Sequence, residues 1–418
     1  MMTKAKPAAA QKPHWLFQWL MVFYLVSLLV GNNVYLTPIF SKPVLAAVLC
    51  IYICTIIWTR STALPEAMGV LVRPYSMPAL WTLFMCSYFW SKVPMASLNN
   101  ILTLTAFLIL AIFISIYHKT DGFSKQLRTS AIIIMACVVL YTLMAPGSLA
   151  TSAGATSFYS QKNNFGMMMG LCTLILLNVP GRNRWHVCIA LLAIMLLVLS
   201  QSKTSMLVLL AVSGLLWLIN RRAEQQRGTF EPFQKKLRFL PKPYTLALLS
   251  LVLLVLFRDS LLDLLWDNLS KTFLTGRGTL WLTVIQQVRG NSLLGIGPSV
   301  FWDADRASEV AHTSLASDDP LWIQKLGGAD GGYIDLIASV GVLGLALFLY
   351  TAADLYRGLS RNWERPDSRL MFVLSTFVLL HAIAETTLLT TCNVLWLVYL
   401  LCYFRVAGYE RERIAAKV

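Results

Sequence analysis

Apolar runs of near-membrane-spanning length, each bounded by charge or by Pro and Gly, recur from one end of this chain to the other. As a helix, about 20 apolar residues cross the ~30 Å hydrocarbon core of a bilayer. Twelve such runs are placed at 15–31, 43–58, 77–91, 99–117, 129–145, 164–179, 186–200, 203–219, 243–257, 332–350, 370–388 and 391–405. The runs are continuous, whereas the strands of a membrane barrel alternate, so a sheet is disfavoured. Composition agrees, with 57% hydrophobic and only 13% charged residues in 418, the latter about half the share of a soluble protein. The expectation is an all-α integral membrane protein of about twelve transmembrane helices, and a water-soluble enzyme is disfavoured.

The net charge of +15 would suggest nucleic acid in a soluble protein. In a membrane protein it reflects the cytoplasmic excess of Lys and Arg. With the N-terminus inside, 25 of the 35 cations fall in cytoplasmic segments, the richest being 220–242. Every short loop then obeys the bias, and no nucleic-acid partner is implied. No small-residue cleavage site follows the first run, so it reads as a retained helix with both termini cytoplasmic. All eight Cys lie in runs, and none is in the long outside segment, which argues against a disulfide framework there. Cys50 and Cys54 share a helix face and read as buried thiols.

Residues 258–331 are too long for a simple connection, so three regions follow: 1–257 with nine spans, 258–331 outside, and 332–418 with three spans and a cytoplasmic tail. Leu262, Leu265, Trp266, Leu269 and Phe273 recur at helical spacing, with Asp259, Asp263 and Asp267 on another face. This reads as an amphipathic helix on the outer membrane boundary. A second helix begins near Thr275, and Gly295 and Gly297 mark a turn. The remainder, 303–331, is polar.

No zinc spacing, P-loop, dinucleotide fingerprint or hydrolase elbow is present, and no metal or cofactor is expected. The chemistry must come from cations, carboxylates and one His near the outer boundary. Arg277 stands at the start of the expected outside helix, where free amides and a guanidinium fork suit a phosphate. Lys203 occupies a tight outside turn among Ser and Thr, and Lys162 stands at the outer entry of another span. Asp330 and Asp335 flank the start of the tenth span, and Glu385 lies within the eleventh. Charge at such depth faces a cavity or sits in a buried pair. His312, in the polar stretch, is a candidate proton acceptor. Cations beside a base suit transfer from a phosphorylated lipid. A lipid-glycan flippase or transporter would also use intramembrane charge, but no repeat between the halves supports it.

Four ordered patches resemble a known family. They are Gln161-Lys162-Asn163-Asn164-Phe165-Gly166, Leu199 through Ser205, Thr275-Gly276-Arg277 through Trp281 with Leu293-Leu294-Gly295-Ile296-Gly297 and Phe301-Trp302, and Gly332-Tyr333-Ile334-Asp335-Leu336 through Leu345. Together they resemble the bacterial O-antigen ligase and polysaccharide polymerase (Wzy-type) family, in particular its exopolysaccharide-polymerase (ExoQ-like) branch, over roughly 80–405. The resemblance implies a glycosyltransferase C-like membrane fold and a donor glycan carried on undecaprenyl diphosphate. It also implies an inverting, metal-independent transfer at the periplasmic face of the inner membrane. The acceptor is a lipid-linked glycan for a polymerase and lipid A-core for a ligase. Arg277 and Lys203 would hold the diphosphate, with Lys162 a weaker contact.

Gly295, Gly297, Tyr333, Asp335 and Glu385 complete the expected substrate contacts. The family commonly carries His where this chain has Asp330. Either Asp330 or His312 is therefore the expected base. Lys203, where many ligases have Arg, offers a point charge without the fork.

Overall fold

The computed structural model describes residues 63–72, 75–117, 120–149, 154–159, 161–225, 277–298, 328–390 and 393–415, with a few single residues besides. The expected spans at 15–31 and 243–257, most of that at 43–58, the amphipathic helix over 259–273, and His312 lie outside these residues. Within them the chain is all-helical, without strands. The helices are α1 Ala63–Val72, α2 Ser76–Cys86, α3 Pro94–Tyr117, α4 Thr120–Met144, α5 Lys162–Asn178 and α6 Arg184–Leu199, followed by α7 Lys203–Gln225, α8 Arg277–Val288, α9 Gly332–Arg361, α10 Ser368–His381 and α11 Val394–Ala415. Among the described residues, four stretches are long and apolar enough to cross a membrane: Pro94–Ser115, Gly122–Met144, Lys203–Arg221 and Gly332–Arg361.

Helices α10 and α11 form the centre. Leu395 through Phe404 are all buried, as are Leu370 through Val378. A helix apolar on every side is covered on every side. Around this pair, α3 and α9 pack on α11, while α5 and α7 pack on α10. Beyond His186 in its first turn, helix α6 buries only a narrow stripe, Ala190, Ala193, Leu196 and Leu197, and exposes Leu191, Met195 and Val198. Small residues in that stripe allow close packing on α5, and the outer apolar face suits lipid. Cys50 and Cys54, expected to be buried, are exposed. There Ile56 faces the core while Ile51 and Ile57 face outward with the two thiols.

Three expected boundaries shift. The run 77–91 is helical only to Cys86, then tightens into a 3-10 turn ending at Trp90, whose indole donates to the Leu294 carbonyl. Helix α10 stops at His381 instead of 388, because the turn after it receives the start of α9: Gly332 N–H donates to the Ala382 and Glu385 carbonyls. Helix α1 forms in a stretch read as connection, with the Arg411 guanidinium over Gly69 and bonded to the Glu66 carbonyl.

Helix α9 is broken inside its apolar run. Gly341 has φ of 72°, a left-handed value that a side chain resists. The break frees backbone groups that lipid could not satisfy. The segment 292–297 satisfies them. Ile296 and Gly297 donate to the Ala338 and Ser339 carbonyls at 2.9 and 3.1 Å, while Val342 and Leu343 donate to the Ser292 and Leu293 carbonyls at 2.9 and 3.2 Å. Gly295, at φ of 70°, lies against the same break, where a Cβ would come within 2.7 Å of the Ala338 oxygen. Ser97 secures the other side of the segment by donating to the Pro298 carbonyl at 2.9 Å.

A methyl group on Gly341 would collide with the Leu293 carbonyl. Gly341→Ala is expected to cost about 2 kcal/mol or more, read as a lower melting midpoint of the purified protein. Gly214→Ala, where an added Cβ meets nothing within 4 Å, should shift stability by no more than about 1 kcal/mol. Equal behaviour of the two would contradict the seam described at the break.

Candidate functional site

Five segments converge at one end of the bundle: the start of α5, the α6–α7 turn, the start of α8, the entry to α9, and the turn after α10. The α6–α7 turn is held internally. Ser200 Oγ donates to the Leu197 carbonyl and accepts from Ser202 N–H, and Gln201 takes a φ of 53°. Gly166 lies so close that a Cβ would sit 2.5 Å from the Ser202 Cβ, which brings the starts of α5 and α7 together. Ser202 donates to Ser205, whose Oγ lies 3.2 Å from His381 Nε2.

Helix α8 packs through Leu280, Trp281, Val284, Ile285 and Val288, which are buried at helical spacing. Its indole donates to the Ala329 carbonyl at 2.9 Å, and Gly331 lies flat on the same ring. This fixes Arg277, the first residue of α8, against the entry to α9. Arg277 Nη2 donates to Glu385 Oε1 at 2.8 Å, and its Nε lies 3.6 Å from Asp330 Oδ2. Asn163, in the first turn of α5, donates to the same Glu385 oxygen at 3.0 Å. Asp330 reaches its place from a left-handed backbone, φ of 48°, which Asp tolerates better than most residues.

Burial raises the Asp330 carboxyl above its usual 3.8, against the pull of the Arg277 guanidinium. Glu385 is likewise pushed up by burial, with Arg277 opposing and the neighbouring Asp330 adding to the rise. The centre is therefore one guanidinium shared by two carboxylates, one covered and one half-open: the Glu385 side chain is 14% exposed and that of Asp330 39%. Such a group can hold an anion and accept a proton within one site.

Thus Arg277, Asp330 and Glu385, expected separately, come together. Lys162 is half-buried next to Asn163, and Lys203 is exposed at the start of α7. Neither makes an ion pair or side-chain hydrogen bond among the described residues. The other expected contacts have internal partners. Asp335 accepts the Ala329 N–H at 2.9 Å and the Thr386 hydroxyl at 2.6 Å. Tyr333 donates to the Leu379 carbonyl. Gly295 and Gly297 lie in the seam at the α9 break. Asn163 and His381 joined the neighbourhood unannounced; Asn163 stands in the first quoted patch, but an amide beside a Lys and a His at a helix end carry no distinctive spacing. Among the described residues, no group of His, Cys, Asp or Glu gathers as a metal site.

The carboxylates should separate by stability. Asp335→Ala leaves the buried Ala329 N–H without its acceptor and is expected to lose about 1–3 kcal/mol. Asp330→Asn, at the half-open position, should stay within about 0.5 kcal/mol. Melting curves of the two variants check this, and a large loss in Asp330→Asn would make that residue structural.

Residues 188–349 match the family described as O-antigen ligase, a stretch that includes Lys203, Arg277, Asp330 and Asp335. The chain is also 24% identical over 336 residues, covering 75% of its length and 73% of the relative, to the exopolysaccharide production protein ExoQ of Rhizobium meliloti (strain 1021). These likenesses support a ligase- or polymerase-type function. The chain is thus similar to the O-antigen ligase family over 188–349, and to an exopolysaccharide production protein over 75% of its length.

Proposed function

We propose that this protein polymerises undecaprenyl-diphosphate-linked polysaccharide repeat units at the periplasmic face of the inner membrane, by inverting, metal-independent glycosyl transfer. The observation that carries the reading is the contact of Arg277 with Asp330, a leaving-group cation beside a proton acceptor, in a chain similar to an exopolysaccharide production protein. Arg277 and Lys203 hold the donor diphosphate, with Lys162 at its edge. The diphosphate draws Arg277 away from Asp330, and the anomeric carbon comes between them. Asp330 takes the proton of the acceptor hydroxyl as its oxygen bonds to the anomeric carbon. The bond from that carbon to the diphosphate breaks, and its electron pair leaves with undecaprenyl diphosphate. The guanidinium stabilises the charge that gathers there.

His312 is the alternative base. A second reading, transfer to lipid A-core, is favoured by the ligase description of the matched stretch and would use the same groups.

Reconstitution with a purified lipid-linked repeat unit tests the proposal. A ladder of longer lipid-linked glycans is the expected result. Product that appears only after lipid A-core is added would replace polymerase by ligase, and movement of the substrate across the bilayer without product would remove the enzyme. Arg277→Ala should lower turnover at least about 100-fold at normal expression, and near-normal turnover would take Arg277 out of the site.

The base must be unprotonated, so the rate should fall as pH drops through the raised Asp330 value. The acid limb then has a midpoint above 3.8. Asp330→Asn should remove that limb and cost about 10²–10⁴-fold, while His312→Ala keeps it. The opposite pattern would move the base to His312.

A further inference from the structure

Glu385 is unusual among the acidic groups of the site. Asp335 is used to tie two loops together, and Asp330 is half-open. Glu385 instead places one oxygen, Oε1, between two donors from different helices, Arg277 Nη2 at 2.8 Å and Asn163 Nδ2 at 3.0 Å. Two convergent donors on one acidic oxygen also describe how a phosphate oxygen is held. The Arg277 and Glu385 side chains are 15% and 14% exposed, so this oxygen occupies a covered seat.

The turn that carries Glu385 does not depend on its carboxylate. Its backbone is fixed by Gly332 N–H donating to the Ala382 and Glu385 carbonyls, and by Asn393 Nδ2 donating to the Thr386 carbonyl. The side chain can therefore leave Arg277 while the turn stays in place. Asp330 sits on the same guanidinium and repels Glu385, which weakens its hold. A diphosphate carries more charge than one carboxylate and more acceptor oxygens.

We infer that Glu385 is a built-in occupant of the diphosphate seat: Arg277 and Asn163 hold its Oε1 where they hold a phosphate oxygen of the donor, which displaces it. This rests on the reading that Arg277 receives the donor diphosphate. Asn163 is then a substrate-binding residue, and Glu385 a positioning residue that acts through Arg277. The exchange sets a threshold. An ordinary lipid headgroup with a single phosphate displaces Glu385 less readily than a diphosphate does. The guanidinium also stays paired and aimed while the site is empty.

The test is calorimetric binding of inorganic pyrophosphate, at fixed ionic strength, to the purified full-length protein, beside Glu385→Gln, Asn163→Ala and Arg277→Ala. Glu385→Gln is expected to bind at least tenfold tighter than the unchanged protein, because the competing charge is gone. A merely structural ion pair would not produce that gain. Asn163→Ala should bind five- to tenfold more weakly, and this partly exposed helix-start position carries the test should Glu385→Gln fail to fold. Unchanged or weaker binding in Glu385→Gln, or unchanged affinity in Asn163→Ala, overturns the inference. Arg277→Ala separates the two levels: if it binds as well as the unchanged protein, the diphosphate clamp itself falls. If it loses binding while Glu385→Gln shows no gain, only the built-in occupant falls.

Discussion

In an apolar bundle, a broken helix must find partners for every backbone group it frees. At Gly341 the partners come from 292–297, and the arrangement of the outer end follows from that seam. The segment continues directly from α8, so anchoring it in α9 also anchors the helix that begins with Arg277. Trp90 and Ser97 close the other side through the Leu294 and Pro298 carbonyls. Arg277, at the start of α8, thereby gains the positional definition of the helices that meet at the break. That matters because small displacements from productive geometry are costly in rate.

The acidic residues near the site divide by what their oxygens meet. Asp335 accepts from a backbone N–H and a hydroxyl that are both internal to the fold, so its charge holds the 329 loop to the 386 turn. Asp330 and Glu385 meet Arg277 instead, and burial pushes both carboxyls up from their usual values. Depth alone does not predict these roles, since Asp335 is the most covered of the three. The identity of the donors separates them: a backbone N–H and a hydroxyl tie Asp335 into the fold, while Asp330 and Glu385 share one guanidinium.

Much of this was legible in the chain itself. Runs of continuous apolar residues announce α3 to α7 and α9 to α11 because a helix in lipid satisfies its own backbone and needs only apolar cover. The helix start at Arg277 is legible because a Thr-Gly pair precedes an apolar stretch of helical spacing. The break at Gly341 is not, since its glycine sits in an apolar run where glycine is ordinary, and its partner lies some 45 residues earlier. The early end of α10 is hidden for the same reason, because it depends on Gly332 N–H arriving from another helix. Asp335, Tyr333, Gly295 and Gly297 fall in family-like patches and have partners within the fold, and a sequence pattern cannot separate packing from contact with substrate.

Two of the arginine–carboxylate groupings among the described residues, one beyond each end of α10, show how one chemistry serves different ends. Just before α10, Asp367 meets Arg405 at 3.3 Å, with side chains only 0% and 6% exposed. Tyr409 bonds both residues, and the Arg405 Nη1 donates to the Ser115 carbonyl at 3.2 Å. Removing a partner there would leave a buried charge, so the pair is bound to its place. Arg277 has two carboxylates competing for one guanidinium and more exposure on each partner. The same ions are thus a fastening where neutral groups seal them. Where a second carboxylate and an open side are present, exchanging a partner costs less.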